Sequence, residues 1–407
     1  MHPRTATWPL PNPVVTVVLA ALVGCGDLAT EAAPDGDAFD TALPGLTADE
    51  LTAFVRGDGE FERRFAPATG LGPIFNNVSC ASCHSADGRG RLSNSLQRIG
   101  SADNDLLRAV GGPQIQDKAI IGAEAERLPA GVSVSLRLPP PVFGVGLIDA
   151  IDEATILSHA DPDDRDGDGI SGRPNWVTPA DYAPNAPTNA GGQRIGRFGR
   201  KAQTASLLEQ TVEAYHQDMG ITSDFRPREN HNPLSTVPVD AADRVVDPEI
   251  PPATVLAVVH YLRTLAPPHP GADTEPRRDG RALFASVGCT SCHVSTLTTG
   301  PNAIAALASK PVELYSDLLL HDMGDALADN RPDGNATGRE WRTTPLWGLR
   351  IMRQFLDGQA FLMHDGRART VEEAILLHAG EAKRSRDAFA ALPPAQRSAL
   401  IDFVESR

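Results

Sequence analysis

Two copies of Cys-x-x-Cys-His, Cys80–His84 and Cys289–His293, constrain this 407-residue chain more than any other feature. Two thiols one helical turn apart match the two vinyl groups of a haem, and the adjacent histidine falls where it can ligate the iron. Cys80, Cys83 and His84 form one candidate haem-attachment set, and Cys289, Cys292 and His293 form the other. Of the five cysteines only Cys25 lies outside them, so no pair remains for a disulfide. A zinc ribbon would need further thiolates or histidines close by, and a redox dithiol would not need the histidine. The cofactor expectation is therefore two covalently bound haem c groups.

Covalent attachment of that kind belongs to an exported protein, and the N-terminus fits export. Arg4 precedes an apolar run, residues 14–23, that is too short to span a bilayer and has the length of a signal core. Leu22-Val23-Gly24-Cys25 resembles a lipobox, which makes Cys25 the expected acylated residue. Residues 1–25 thus read as a lipoprotein signal peptide and 26–45 as a flexible tether. The protein would face the periplasm from the outer membrane, with the lipid as its sole membrane attachment. The net charge of −15 disfavours nucleic acid and favours a positively patched partner, such as a small electron-donor cytochrome or cupredoxin.

The body reads as two modules that rhyme. Phe75 lies five residues before Cys80, and Phe284 lies five before Cys289. Each module ends on an aromatic-bearing helix, around Tyr261 and Phe403, and Ala266-Pro267-Pro268-His269-Pro270-Gly271 separates them. The expected fold class is mainly α: tandem cytochrome c-like domains, 46–265 and 275–407. The first carries a large irregular insertion between about 100 and 250. Within it, Ala205, Leu208, Val212, Tyr215 and Met219 recur at helical spacing, predicting a helix over 201–219 with Met219 as core. Thr370-Val371-Glu372-Glu373 is a capping box opening a helix over 371–378.

Asp164, Asp166 and Asp168 stand on alternate residues before Gly169, a pattern that can converge on a hard cation, and calcium is the expected ion. Asn175 stands where an EF-hand would place its bidentate glutamate. The expectation is a calcium loop bracing the insertion beside the first haem. For the sixth ligand of the second haem, Met323 ranks first, then Met363 and Met352, with His364 a further choice. His321 and His378 read as structural histidines, with a place in the haem pocket as the alternative, and His216 on its polar flank reads as structural too.

Further segments carry a family resemblance. They include Ile74-Phe75-Asn76-Asn77-Val78-Ser79-Cys80, Asp87-Gly88-Arg89-Gly90, Leu138-Pro139-Pro140-Pro141-Val142-Phe143-Gly144, Gly196-Arg197-Phe198-Gly199, Leu320-His321-Asp322-Met323-Gly324 and His364-Asp365-Gly366-Arg367. In that order they resemble the bacterial di-haem oxidoreductases, which also carry a thiol-oxidoreductase label and are related to the di-haem cytochrome c peroxidases. Arg200 departs from the pattern, which has tryptophan after the Phe-Gly pair. If that position bridges the haems, transfer between them differs here. The resemblance implies a peroxidase-like oxidoreductase: electrons arrive at the C-terminal haem and pass to a reactive N-terminal haem that takes a small substrate such as peroxide. Cleavage of peroxide calls for a nearby acid/base group; Asp149 is the catalytic candidate and Glu153 the second. The alternative is a non-catalytic di-haem electron-transfer protein.

Overall fold

The computed structural model describes residues 39–100, 111–184, 186, 188–238 and 241–407. The signal and lipobox, Cys25 included, lie outside these residues, as does most of the expected tether. Among the described residues no helix is long and apolar enough to cross a membrane.

Helix α1 (Ala48–Glu62) begins at a reciprocal cap between Thr47 and Glu50. Strand β1 (Ile74–Phe75) leads to the first motif, which folds as the single helical turn α2 (Cys80–Cys83). Residues 92–251 contribute β2 (Leu96–Ile99), β3 (Lys118–Ala119), β4 (Val134–Arg137), α3 (Val145–Ala150), α4 (Glu153–Leu157), β5 (Trp176–Val177), β6 (Arg194–Ile195) and α5 (Leu207–Asp218). Helix α6 (Pro252–Thr264) closes the first half, and α7 (Glu275–Ser286) opens the second. Then come β7 (Leu297–Thr298), β8 (Pro311–Val312), β9 (Leu320–Asp322), β10 (Glu340–Arg342), α8 (Leu349–Phe355), α9 (Val371–Leu377), α10 (Lys383–Ala390) and α11 (Pro394–Glu405). The strands pair antiparallel as β1 with β3, β2 with β4, β5 with β6, β7 with β8 and β9 with β10.

The fold is therefore mixed, 35% helical and 12% strand, rather than mainly α. The strands escape sequence reading because most are two or three residues long, too short for alternation to show.

Each half is built on the same helix crossing. Gly57 of α1 packs onto Ala257 and Tyr261 of α6, and Gly280 of α7 packs onto Ala399 and Phe403 of α11. An added Cβ would lie 2.2 Å from the Ala257 carbonyl oxygen at the first crossing and 2.1 Å from that of Ala399 at the second, so only glycine permits the approach. One turn after each glycine an aromatic turns toward the motif histidine: Phe61 lies 6.3 Å from His84 and Phe284 lies 6.1 Å from His293, between ring centroids. The counterpart of Phe284 is thus Phe61, not Phe75. Phe75 sits in β1 because Pro67, Gly70 and the Gly72-Pro73 pair end any helix before the first motif.

The halves are not separate bodies. Residues 34–407 form one compact unit, and one apolar core joins Phe61, Val212 and Tyr261 to Leu314, Leu319 and Ile351. The expected tether also ends sooner than residue 45. Phe39 is 2% exposed and stacks on Phe143 at 4.7 Å, and the Leu43 amide bonds the Thr264 carbonyl at 2.7 Å. Nor does the 100–250 segment hang off as an appendage. Helix α5 starts at Ser206 and packs on α6, with Ala205, Leu208, Val212, Tyr215 and Met219 all buried. It starts later than 201 because Lys201 is drawn into the interior, where its Nζ donates to Asp329 at 2.6 Å and to the Arg331 and Thr337 carbonyls.

Candidate functional site

Both motif histidines are held in the same way. His84 Nδ1 lies 2.8 Å from the Pro140 carbonyl oxygen, and His293 Nδ1 lies 2.8 Å from that of Tyr315. Anchoring Nδ1 fixes the tautomer and ring direction and leaves Nε2 as the lone-pair donor, the arrangement a metal-ligating imidazole needs. Burial pushes both histidines down to about 4, so they stay neutral and able to ligate across the physiological range.

The thiols behave differently from reactive cysteines. None is disulfide-bonded. Burial, with help from Asp218, pushes Cys80 and Cys83 up to about 12; burial and the Cys292 thiol do the same to Cys289, and burial raises Cys292 as well. A dithiol–disulfide centre needs accessible thiolate, which this environment suppresses.

The second motif opens on a cavity lined mainly by apolar side chains. Cys289, Cys292 and His293 line it with Phe284, Leu346, Trp347, Leu362, Val371 and Ile375. An apolar chamber beside two thiols and an oriented imidazole fits a haem in lining and donor chemistry. Every ranked sixth-ligand candidate reaches this cavity: Met323, Met352, Met363 and His364. Met352 is 3% exposed on α8 and packs in the C-terminal core. His364 stacks flat on Trp341 at 3.7 Å. Met219 is in the core, as its stripe predicts.

Sequence reasoning undervalued His378. It too lines the cavity, and its Nδ1 lies 2.7 Å from the Ala374 carbonyl oxygen, repeating the anchoring of His84 and His293. It sits near enough to His293 to influence that ring electrostatically. The available signal was its spacing on α9: Val371, Ala374, Ile375 and His378 share one helical face. His321, by contrast, has both nitrogens committed, Nε2 to Asp317 and Nδ1 to Glu381, each at 2.8 Å. Burial opposes its charge, but the carboxylates outweigh it and raise the imidazole well above its usual range.

Asp149 is engaged elsewhere. One carboxylate oxygen accepts from the Leu207 amide at 3.2 Å, and the other pairs with Arg263 at 3.1 Å. It ties α3 to the start of α5 and to α6, and none of its described contacts is with the first motif. Glu153 faces Arg194 at 3.7 Å and Arg197 at 3.8 Å.

Asp164, Asp166 and Asp168 do converge, each offering a carboxylate oxygen within 4.8 Å of the others. All three are exposed, and the turn is folded by amide donations from Gly169 to Asp164 and from Ile170 to Asp168. The loop braces the second site rather than the first. Ser171 donates its hydroxyl to Glu381 at 2.6 Å, Glu381 holds His321, and Arg173 exchanges backbone bonds with Leu320 of β9. The physical reason is that β9 has an edge open to Arg173, which draws the chain after the loop onto the C-terminal half.

Paired thiols, two oriented neutral imidazoles and an apolar chamber define the class as a haem protein with two sites. The chain belongs to the family described as "Di-haem oxidoreductase, putative peroxidase", whose profile matches residues 22–102 and 119–407. It is accordingly a haem-dependent oxidoreductase. No curated protein matches it. Among solved structures it is similar to Kuenenia stuttgartiensis hydrazine synthase pressurised with xenon, at 15% identity and a TM-score of 0.38, covering 98% of this chain and 100% of that one. It is also similar to a MauG-like protein associated with microbial copper homeostasis, at 16% identity and a TM-score of 0.29, covering 69% and 91%.

Proposed function

We propose that this chain is an exported, lipid-anchored c-type di-haem oxidoreductase that reduces a small substrate such as peroxide with electrons from a small cytochrome or cupredoxin. The observation that carries this reading is the duplicated device of two thiols followed by a buried histidine whose Nδ1 is pinned to a carbonyl. Cys80, Cys83 and His84 would hold the first haem, and Cys289, Cys292 and His293 the second. Bound haem supplies a one-electron couple and, where the iron keeps an open position, a binding place for peroxide.

The residues at the two sites support different tasks for them. At the second, His378 lines the same cavity as His293 with its Nδ1 likewise pinned, so its imidazole would be free to help hold the second haem, which would there supply electron transfer. Met323, the ligand favoured by sequence, lines that cavity without a comparable anchor. This leaves the first site as the reactive one. Calcium at Asp164, Asp166 and Asp168 would tighten the loop that reaches Glu381 and His321. Leu22-Val23-Gly24-Cys25 supports acylation at Cys25 and attachment to the outer membrane, facing the periplasm. The net charge of −15 supports a donor with a basic face.

Acid–organic extraction and a spectrum of the reduced protein with and without carbon monoxide test the reading. Colour retained on the polypeptide, two haems per chain and carbon monoxide at one iron are expected. Carbon monoxide at neither iron would leave an electron-transfer protein without peroxidase chemistry, and extractable colour would end the c-type assignment.

A further inference from the structure

Three arginines line the cavity of the second motif without a carboxylate partner: Arg89, Arg200 and Arg342. They are 4%, 5% and 9% exposed, and none forms an ion pair among the described residues. Arg89 donates to the carbonyls of Phe361 and Met363, and its Nε is buried with no acceptor. Arg200 gives Nε and Nη2 to the Leu138 carbonyl, at 3.1 and 2.7 Å. Arg342 gives Nε to the Gly199 carbonyl at 3.2 Å and leaves Nη1 unpartnered.

This placement is costly as it stands. Guanidinium groups resist deprotonation, so three buried charges in one chamber demand anions. Burial lowers all three, and Arg89 and Arg342 further depress Arg200. The neighbouring arginines are treated differently. Arg137 pairs with Asp329 at 2.8 Å and Asp333 at 2.9 Å, and Arg331 with Asp333. A chain with 52 acidic residues has therefore paired one cluster directly and given the cavity cluster only carboxylates outside ion-pair distance, Asp365 acting on Arg200 and Asp317 on Arg342. Arg200 also connects the two sites: the Leu138 it holds donates its amide to the His364 carbonyl at 3.0 Å and lies two residues before Pro140, whose carbonyl anchors His84.

We propose that Arg89, Arg200 and Arg342 are the seat of haem propionates, and that Arg200, standing between the two haem sites, raises the reduction potential of both. The inference rests on the di-haem reading. A carboxylate beside each of these guanidinium groups would make charge-assisted, fork-like hydrogen bonds and offset the desolvation penalty. A fixed positive charge near an iron disfavours the more positive ferric state. Arg200 would thus tune driving force as well as seat a carboxylate.

The test is a spectroelectrochemical titration of Arg200→Gln, Arg200→Lys and the exposed control Arg384→Gln, with haem content measured on each. At two haems per chain, Arg200→Gln is expected to shift both irons toward the ferric form by about tenfold in equilibrium constant, ~59 mV for a one-electron couple. Lysine should largely restore the native values and the control should leave them unchanged. Native potentials in a fully loaded Arg200→Gln protein would overturn the proposal. Fewer than two haems in the wild type would instead count against the di-haem reading. Should the Gln variant fail to accumulate, resonance Raman of the wild type decides. Propionate bending bands at hydrogen-bonded positions support the seat, and bands at the position of solvated propionates overturn it.

Discussion

Single side chains at the sites are specialised by what holds them. His378 differs from His321 only in commitment: one nitrogen of His378 is fixed, whereas both nitrogens of His321 are. His378→Ala should therefore convert the second haem from low-spin to high-spin and allow a second carbon monoxide to bind, as read by absorption spectra. Met323→Leu should leave that signature intact. If Met323→Leu alone abolishes it, the ligand is the thioether. Asp149 gives the opposite expectation to the one its sequence context suggests. Its carboxylate joins Arg263 and the first amide of α5, so Asp149→Asn should cost about 1–2 kcal/mol of stability. Peroxide turnover per haem should stay within about twofold of native, a modest change on the scale of general acid–base effects. A loss of hundredfold with unchanged melting would restore Asp149 as an acid/base group.

At the scale of elements, the crossings at Gly57 and Gly280 set the position of each motif. Both close to near backbone contact, and a methyl group would force the helices apart. Gly280→Ala is expected to destabilise by about 1–3 kcal/mol, seen as a lower melting temperature. Because Phe284 lies one turn on, the absorption of the second haem should be disturbed and the first spared. The aspartate loop acts through Ser171 and Glu381. Chelation should lower the melting temperature and perturb the second haem, with both effects absent in Asp166→Asn; an unchanged melting curve would dismiss the ion. A third element, the segment containing Glu229 and Glu249, carries a pH signature. Burial first, then neighbouring carboxylates, raise Glu229 to about 10 and Glu249 to about 8. Folded-state values above the ordinary ones hold their stability contribution at low pH and lose it as pH rises toward 8 and then 10. Melting temperature in chelated buffer should fall over that range, and Glu229→Gln should flatten the fall.

For the whole molecule, the shared core predicts one cooperative unfolding event rather than two. Residues 266–271 look like a linker, yet Ala266 bonds Thr41 and Gly271 bonds Ser406, so each end of the connection is tied to its own half. The buried Asp329 and Asp333 receive Arg137 and Lys201 from the first half, which binds the two together by charge as well as by apolar surface. Calorimetry should show a single transition, and two resolved transitions would mean the halves fold independently.

The sequence alone determined what is local: the two Cys-x-x-Cys-His motifs, the capped helix at Thr370, the α5 stripe and the aspartate turn all depend on residues within a few positions of one another. It misplaced what depends on distant contacts. Phe61 rather than Phe75 is the partner of the first histidine, because that depends on how a glycine lets two helices meet 200 residues apart. His378, Asp149 and the three unpaired arginines have roles fixed by which groups the folded chain brings to them. Spacing has no record of a nitrogen left free or a charge left unmatched. Those are properties of the interior, decided when burial removes water as the alternative partner.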